Sequence, residues 1–391
     1  MVGNQMQLWA LFWHISRLSS APIAVSIVGA VRFVAVVSFS MIGGLVADRY
    51  NRRAILFITQ GLELAVALTL GLLTLLGNIQ LWHIYVLTAI QAGTAAFDIP
   101  ARQSLVPNLV PQEDLPNAFS LQSIAFNTGA IAGPAFSGLI IAYWGQEFAY
   151  LANSLSFLAV LIALVAMGPV PQQQAKSRSG IRAALEDIRG GVCFIRSQPL
   201  ILSSMILDFF ATFFASANTL LPYFTQYVLH VGEVAYGWLA AAASVGAVLV
   251  GLVISQFQHI RRQGQLLLGS VLVFGVAAIA FGASRLYGVV FAALMLGGAA
   301  DSVSTIIRNT IRNLQTPDSL RGRMTGINQI FFMGGPQLGE VEAGAMAQAV
   351  GVPWAIISGG IGTILVVGLI AARWPSLRHY NGDEPAATPA Q

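Results

Sequence analysis

Long apolar runs alternate with short polar breaks along most of the chain. Twelve runs have about the 20 residues that a helix needs to cross the hydrocarbon layer of a membrane. They span residues 4–20, 22–47, 54–77, 82–104, 117–144, 148–168, 199–229, 234–257, 265–284, 286–310, 322–349 and 353–373. Runs such as 155–167 do not alternate between apolar and polar positions, which argues against a membrane β-barrel. The pattern predicts an all-α membrane protein with twelve transmembrane helices.

The longest polar stretch, residues 169–198, separates six of these helices from the other six. It opens with Pro169 and Pro171, and apolar residues then recur at helical spacing from Ile181 to Ile195. Such a pattern is typical of a helix in the membrane interface, and a solvated linker helix explains it equally well. We predict a six-helix lobe over 1–168, a cytoplasmic linker with an interfacial helix over 169–198, a second six-helix lobe over 199–373, and a disordered cytoplasmic tail over 374–391.

Composition agrees with a membrane location. Only 9% of the 391 residues are charged and 56% are hydrophobic, whereas a soluble domain carries about 25% charged residues. This argues against a cytosolic enzyme, a secreted domain or a nucleic-acid binder, despite the net charge of +4. A single cysteine, Cys193, excludes an intramolecular disulfide and a cysteine metal cluster.

The basic residues predict the orientation. If the loop 48–53 is cytoplasmic, 17 of the 20 Lys and Arg residues fall on the cytoplasmic side, Arg102 and Arg308 among them. Arg17 and Arg285 fall outside, and Arg32 lies within a helix. Positive charge is enriched in cytoplasmic loops, so we expect a multi-pass protein of the bacterial inner membrane with a cytoplasmic central linker.

The two halves of the chain resemble each other. Each contains an acid within a helix, followed by a loop of Pro, acid and Leu, over residues 98–115 and 301–320. Asp98 and Asp301 are 203 residues apart, and the pairs Gly133-Pro134 and Gly335-Pro336 are 202 apart. Repeated halves are typical of a two-lobed transporter with a site between the lobes.

The loop after the second helix carries a motif. A glycine precedes an Asp-Arg pair, a turn residue and two arginines: Gly44, Asp48, Arg49, Asn51, Arg52 and Arg53. It resembles the signature loop of the major facilitator superfamily, with Asn51 replacing a glycine and expected to tolerate left-handed geometry. The resemblance implies that Asp48 docks at a helix end of the opposite lobe and helps to close the cytoplasmic side, supported by the arginines. A purely topogenic basic loop is the alternative.

The fifth predicted helix carries a second motif: Gly129, Gly133, Pro134 and Gly138. It is similar to the antiporter signature that marks exporters in the superfamily, although helix packing alone would also explain small residues at these positions. The stretches 97–115 and 315–324 resemble the drug:proton antiporter branch. The resemblance covers about residues 3–373 and departs from the family in the first helix. Residues 4–20 span only about 25 Å at 1.5 Å per residue, so that helix is apparently shortened.

Charges within membrane helices are costly and therefore functional candidates. These are Arg32, Glu63, Asp98, Asp208, Asp301, Glu340 and Glu342. The resemblance places helices one, four, seven and ten around the transport cavity and the third outside it, so we expect Glu63 to reach the membrane interface.

The remaining charges are candidates for proton coupling. Asp98 and Asp301 either hold helices together or act as gating or proton-binding sites. Asp98 lies four residues before Arg102 and can form an ion pair with it. Asp208 has no basic neighbour on its own helix and is a proton-coupling candidate. Arg32 and Glu340 are predicted to lie at the same depth in the membrane and carry opposite charges, so we expect Arg32 to pair with Glu340 or Glu342. The alternative is an unpaired acid that faces a water-filled cavity.

Aromatic residues on the seventh and eleventh helices are candidates for a substrate pocket: Phe209, Phe213, Tyr223, Phe331 and Phe332. Lipid contact or helix packing would explain them as well. The dispersed histidines offer no metal site, and no Walker loop is present. We therefore expect no cofactor and no metal.

These features predict a secondary active transporter that exports small amphipathic compounds, drug-like or siderophore-like, by proton antiport through alternating access. An importer or lipid translocator of the same fold, or a non-transporting sensor on a transporter scaffold, remains an alternative. The sequence contains no recognisable pair of a nucleophile and a base, which argues against a membrane enzyme. The expected partners are a small-molecule substrate and the lipid bilayer, and we expect a monomer.

Overall fold

A computed structural model describes residues 1–168, 170, 190–257, 260–317 and 321–382. Regular structure in this part of the chain is entirely helical. The helices are α1 (Val2–Leu18), α2 (Ile23–Arg49), α3 (Arg52–Leu75), α4 (Leu81–Leu105), α5 (Leu115–Tyr143), α6 (Gln146–Ala166), α7 (190–197), α8 (Pro199–Ala215), α9 (Leu221–Tyr227), α10 (Glu233–Ile254), α11 (Gln263–Ala283), α12 (Tyr287–Gln315), α13 (Arg321–Val350), α14 (Val352–Arg373) and α15 (Pro375–His379).

Each of the twelve predicted runs coincides with a long helix, to within a few residues at most ends. The seventh run is the exception, because α8 ends at Ala215 and a 3₁₀ turn over Asn218–Leu220 leads into the short α9. Within the described residues, ten helical segments are long and apolar enough to cross a membrane, with α8 and α9 counted together as the segment Pro199–Tyr227. The other two are α1, with 17 residues, and α13, which carries Gln337, Glu340 and Glu342.

Only part of the predicted linker and tail can be compared with the structure. Residues 171–189 of the linker, and with them most of the predicted interfacial helix, lie outside the described residues, as do 383–391 of the tail. The prediction of disorder is wrong for the first residues of the tail. Residues 375–379 form α15, and Leu377 and Tyr380 are buried against α11, where the Gly264 amide donates to the Tyr380 carbonyl at 2.9 Å.

The described helices form two compact units. The first contains α1 to α6 and residues 225–241, and the second contains residues 190–224 and the described chain from residue 242 onward. The predicted lobes differ from this division at 225–241, which pack within the first unit. Tyr236 is buried there and donates its hydroxyl hydrogen to the Trp9 carbonyl at 2.9 Å.

Glycines allow the main helix pairs of each unit to pack closely. In the first unit, Gly43 of α2 lies against the Ala96 backbone of α4. In the second unit, Gly339 of α13 lies against the Phe213 backbone of α8. Because a side chain at either position would meet backbone atoms of the neighbouring helix, the small residues set how near the helices approach.

Candidate functional site

The motif loop joins α2 to α3 through a helix cap. Asn51 has φ −62° and ψ 112°, so it does not adopt the left-handed geometry that asparagine tolerates. Its side chain instead accepts hydrogen bonds from the backbone amides of Arg53 (3.0 Å) and Ala54 (3.2 Å) and caps α3. Gly44 lies within α2, with open space beside its Cα. The side chain of Asp48 lies outside the described part of the structure.

The two arginines after Asn51 bind the ends of neighbouring helices. Arg52 Nη1 donates to the Ser104 carbonyl at 2.8 Å, next to the end of α4. Arg53 donates through Nε (2.9 Å) and Nη2 (2.7 Å) to the Leu164 carbonyl in the last turn of α6. Helix C-termini carry partial negative charge and unpaired carbonyls. These arginines therefore tie together one end of α3, α4 and α6.

The glycines of the antiporter-like motif are contact points of α5. A side-chain carbon on Gly133 would lie 2.5 Å from Gln5 Cβ of α1, and one on Gly129 would lie 3.1 Å from Met1. On Gly138 it would lie 2.8 Å from the Cα of Gly237, in the part of α10 that belongs to the first unit. The helix continues through Pro134. The motif thus brings α5 against α1 and α10.

Asp98 in α4 is held by three hydrogen-bond donors. Arg102, one turn later, pairs with Asp98 Oδ2 at 2.9 Å, which confirms the predicted ion pair. Two side chains of α3 complete the set, since Thr59 Oγ1 (3.0 Å) and Gln60 Nε2 (2.8 Å) both donate to Asp98 Oδ1. This arrangement joins α3 to α4 around a fully partnered carboxylate.

Glu63 does not reach the membrane interface as expected. It is 5% exposed and faces the interior of the first unit, where Gln91 Nε2 of α4 donates to Glu63 Oε2 at 3.0 Å. The expectation is wrong because α3 is covered along this face by α4 and α6.

Asp208 in α8 forms a buried ion pair with Arg308 in α12. Both side chains are 8% exposed. Arg308 also lies 3.9 Å from Asp301, seven residues before it on the same helix, and donates to Thr305 Oγ1 at 2.8 Å. Two carboxylates from two helices therefore share one guanidinium inside the second unit.

A cavity of about 210 Å³ adjoins this set in the second unit. Asp301 lines it, together with Thr212, Asn218 and Pro336. The Asp301 side chain is 45% exposed, unlike Asp208 and Arg308. Of the three charged groups, Asp301 is the one in contact with open space.

Three of the five predicted pocket aromatics come together in the second unit. Phe209 stacks on Phe213 with ring centres 6.3 Å apart and meets Phe331 edge to face at 5.8 Å. Tyr223 is fully buried within the unit, and Phe332 is exposed at its surface. The cluster starts at the residue after Asp208, so apolar rings and the ion set are neighbours on α8.

The remaining candidates lie on different units. Arg32 is half-buried in α2 of the first unit, whereas Glu340 is buried and Glu342 half-buried in α13 of the second. Their pairing stays a prediction.

Sequence reasoning missed Arg308 as a site residue, because it counts Arg308 only among the basic residues of the cytoplasmic side. The spacing contained a signal: seven residues make two helical turns, so Asp301 and Arg308 share a face of α12. The sequence gives a weaker signal for Gln91, the partner of Glu63, because a glutamine in an apolar helix does not indicate which residue it contacts.

Comparison with known proteins identifies the family. The model of a major facilitator family described as transmembrane secretion effectors matches residues 1–388. The chain belongs to this family. Its members are transporters and not enzymes, so the protein is a multi-pass membrane transporter.

Curated relatives of the same kind cover nearly the whole chain. The enterobactin exporter EntS of Escherichia coli K12 is 26% identical over 370 residues, which are 94% of this chain and 86% of the relative. The enterobactin exporter EntS of Shigella dysenteriae serotype 1 has the same identity and coverage. This confirms the resemblance to that branch of the superfamily.

Solved transporter structures share the fold. A bacterial homologue of the human lysosomal transporter Spinster superposes with a TM-score of 0.77 at 13% identity, covering 100% of this chain and 97% of the other. The nucleoside transporter NupG gives 0.69 at 13% identity, with 97% of each chain covered. The predicted all-α major facilitator fold is confirmed.

Proposed function

We propose that the protein is a secondary active exporter that moves small amphipathic compounds out of the cell in exchange for protons. The two lobes would alternate in opening a central site to either side of the inner membrane, with the arginine-rich loops and the linker in the cytoplasm. In this cycle Asp48 and the arginines of the motif loop close the cytoplasmic side. Arg32 pairs with Glu340 or Glu342 when the outer side is closed.

The observation that carries the proposal is the set Asp208, Arg308 and Asp301. With both acids ionised, the three side chains of the set carry one net negative charge. The half-buried Arg312, one turn after Arg308, also acts on Asp208 through its field. Net charge in a low-dielectric interior is costly, and one bound proton brings the set to neutrality. The set is therefore suited to take up and release one proton per cycle.

The exposure of the three side chains supports Asp301 as the first group to receive that proton. Asp301 contacts the cavity, whereas Asp208 and Arg308 are buried behind it. A proton that reaches Asp301 weakens its attraction for Arg308, and Arg308 is then free to bind Asp208 alone. Because Arg308 joins α8 to α12, this shift changes how strongly the two helices are held together. An inward-moving proton contributes about 2.3 kcal/mol per 100 mV of membrane potential.

The cargo class follows from the apolar rings beside the ion set. Phe209, Phe213 and Phe331 form a surface suited to aromatic and amphipathic molecules. The curated relatives are enterobactin exporters, so we propose siderophore-like compounds as the first class of substrate and drug-like cations as the second.

Proton-coupled transport in proteoliposomes tests the proposal, with enterobactin and ethidium as probes. We expect substrate movement against an imposed proton gradient, alkalinisation on the proton-supplying side, and loss of both in the presence of a protonophore. Asp208→Asn should lose gradient-driven movement. Asp114→Asn is the matched control, because it makes the same change at an exposed loop acid. Transport of both probes without proton movement, or accumulation in the opposite direction, would overturn the proposal.

A further inference from the structure

A chain of neutral polar side chains crosses the interior of the first unit and ends at Glu63. Asn153 Nδ2 of α6 donates to Gln7 Oε1 of α1 at 2.8 Å. Gln7 Nε2 donates to Gln91 Oε1 of α4 at 3.5 Å, and Gln91 Nε2 donates to Glu63 Oε2 of α3 at 3.0 Å. Every donor in this chain points toward the carboxylate, and four helices meet in it.

Three of the four side chains are buried and Gln91 is half-buried, which makes their polarity costly unless every group is partnered. Gln7 is 1%, Asn153 0% and Glu63 5% exposed. At its far end, Ser156 Oγ donates to Asn153 Oδ1 at 2.9 Å, on the exposed side of α6. The chain thus connects a buried acid to the surface of the unit.

Glu63 has no cation among its hydrogen-bond partners in the described part of the chain. The nearest ionised groups whose field reaches it are Asp98 and Arg102, which are already paired with each other. The other ionisable side chains on the helices around it are Arg32, Asp48 and Arg49 on α2, Arg52 and Arg53 on α3, His83 and Tyr85 on α4, Glu147 and Tyr150 on α6, and His14 and Arg17 on α1. His14 is itself hydrogen-bonded to Tyr150 at 3.1 Å.

We propose that Glu63 is a second proton-binding site, and that the amide chain reverses its direction when the proton is bound. A side-chain amide has a donor end and an acceptor end, and turning it over exchanges them. With Glu63 ionised, the amides donate toward it, as the structure shows. With Glu63 protonated, its O–H donates to Gln91. Gln91, Gln7 and Asn153 then all turn over, so that donation runs outward and the Ser156 hydroxyl oxygen accepts from Asn153. Both states keep every link of the chain bonded.

Proton binding at Glu63 is therefore transmitted to α1 and α6. Gln7 lies in α1, and Asn153 contacts Gly3 at the start of the same helix. The resemblance to the family places α1 at the transport cavity. The role of Glu63 in transport rests on the proposed proton antiport, whereas proton binding itself is measured without any transport.

Infrared difference spectroscopy of the full-length protein in liposomes, between acidic and alkaline pH, tests the inference. A protonated carboxylic acid has a C=O stretching band that a carboxylate lacks. We expect a C=O band from each acid that binds a proton in this range, the Asp208 and Asp301 set included. One component of these bands, shifted in heavy water, should be lost in Glu63→Gln. Glu113→Gln, the same change at an exposed loop acid, should retain it.

A second variant separates the site from a folding defect. Gln91→Leu removes the link next to Glu63 and leaves the acid in place, so the band should shift in frequency, while Gln112→Leu in an exposed turn should leave it unchanged. An identical difference spectrum in wild type and folded Glu63→Gln would overturn the inference. If the band is lost in Glu63→Gln but wild-type protein moves no protons with enterobactin, the antiport proposal fails and the proton site stands.

Discussion

The acids in the membrane helices of the two units have different kinds of partner. In the first unit, Asp98 is partnered by Arg102 on its own helix and by Thr59 and Gln60 of α3. In the second unit, Asp301 occupies the repeated position, but its arginine is shared with Asp208 of another helix. One acid is fully partnered by local neighbours, and the other belongs to a set with one negative charge in excess.

This difference arises from the spacing of the arginine. Arg102 follows Asp98 by four residues, one helical turn, and can pair with it directly. Arg308 follows Asp301 by seven residues, two turns, and reaches across to Asp208. The repeated positions in the two halves thus have the same sequence pattern but different ion pairs. We therefore propose that proton coupling belongs to the second unit's set rather than to Asp98.

Removing the shared arginine should have the largest effect. Arg308→Gln leaves Asp208 buried without its cation, and breaking a buried pair in this way costs about 3–5 kcal/mol. We expect a large fall in melting temperature in detergent, together with loss of proton-coupled transport. Asp208→Asn combined with Arg308→Gln should recover part of the stability, because the uncompensated charge is gone.

Arg285→Gln, at an exposed loop position, provides the control for charge loss. A melting temperature for Arg308→Gln equal to that of Arg285→Gln would refute the assignment of Arg308 as the partner of a buried acid.

Alanine substitution of a packed glycine should destabilise the two units to a similar extent. Gly133→Ala in the first unit and Gly335→Ala in the second each place a carbon 2.5 Å from a neighbouring atom, Gln5 Cβ in one case and Thr212 Oγ1 in the other. Overpacking of this kind costs about 1–3 kcal/mol, and we expect similar losses of thermal stability at both sites. Gly269→Ala, where open space surrounds the Cα, should not destabilise; losses confined to one unit would contradict equivalent helix packing.

The smallest effect is expected at Arg102. Its side chain is 36% exposed, and a partly exposed pair contributes only about 0–1 kcal/mol. Asp98 keeps its bonds from Thr59 and Gln60 in Arg102→Gln, so the melting temperature should fall far less than in Arg308→Gln. Equal losses in the two variants would mean that the acids of the two units are held in the same way.

The helices were predictable from the sequence because membrane thickness fixes the length of an apolar run. The ion pair of Asp98 with Arg102 was predictable as well, since it lies within one helical turn. The pair of Asp208 with Arg308 was not, because the two residues are 100 positions apart and their contact depends on how α8 packs against α12.

The error at Glu63 has a physical reason. The family resemblance places the third helix outside the cavity, which predicts that Glu63 reaches the interface, but the Gln91 amide of α4 partners it inside the unit. Asn51 tolerates left-handed geometry, yet its backbone is extended and its side chain caps α3. In both cases a polar side chain bonds to a part of the protein that the sequence pattern does not indicate.

Comparison of the two repeated acids tests the central claim most directly. Enterobactin-dependent proton movement would be measured in proteoliposomes containing Asp98→Asn or Asp301→Asn, with equal amounts of folded protein. We predict that Asp301→Asn loses proton movement and that Asp98→Asn retains it at close to the wild-type rate. Retention in Asp301→Asn together with loss in Asp98→Asn would contradict the assignment of proton coupling to the second unit.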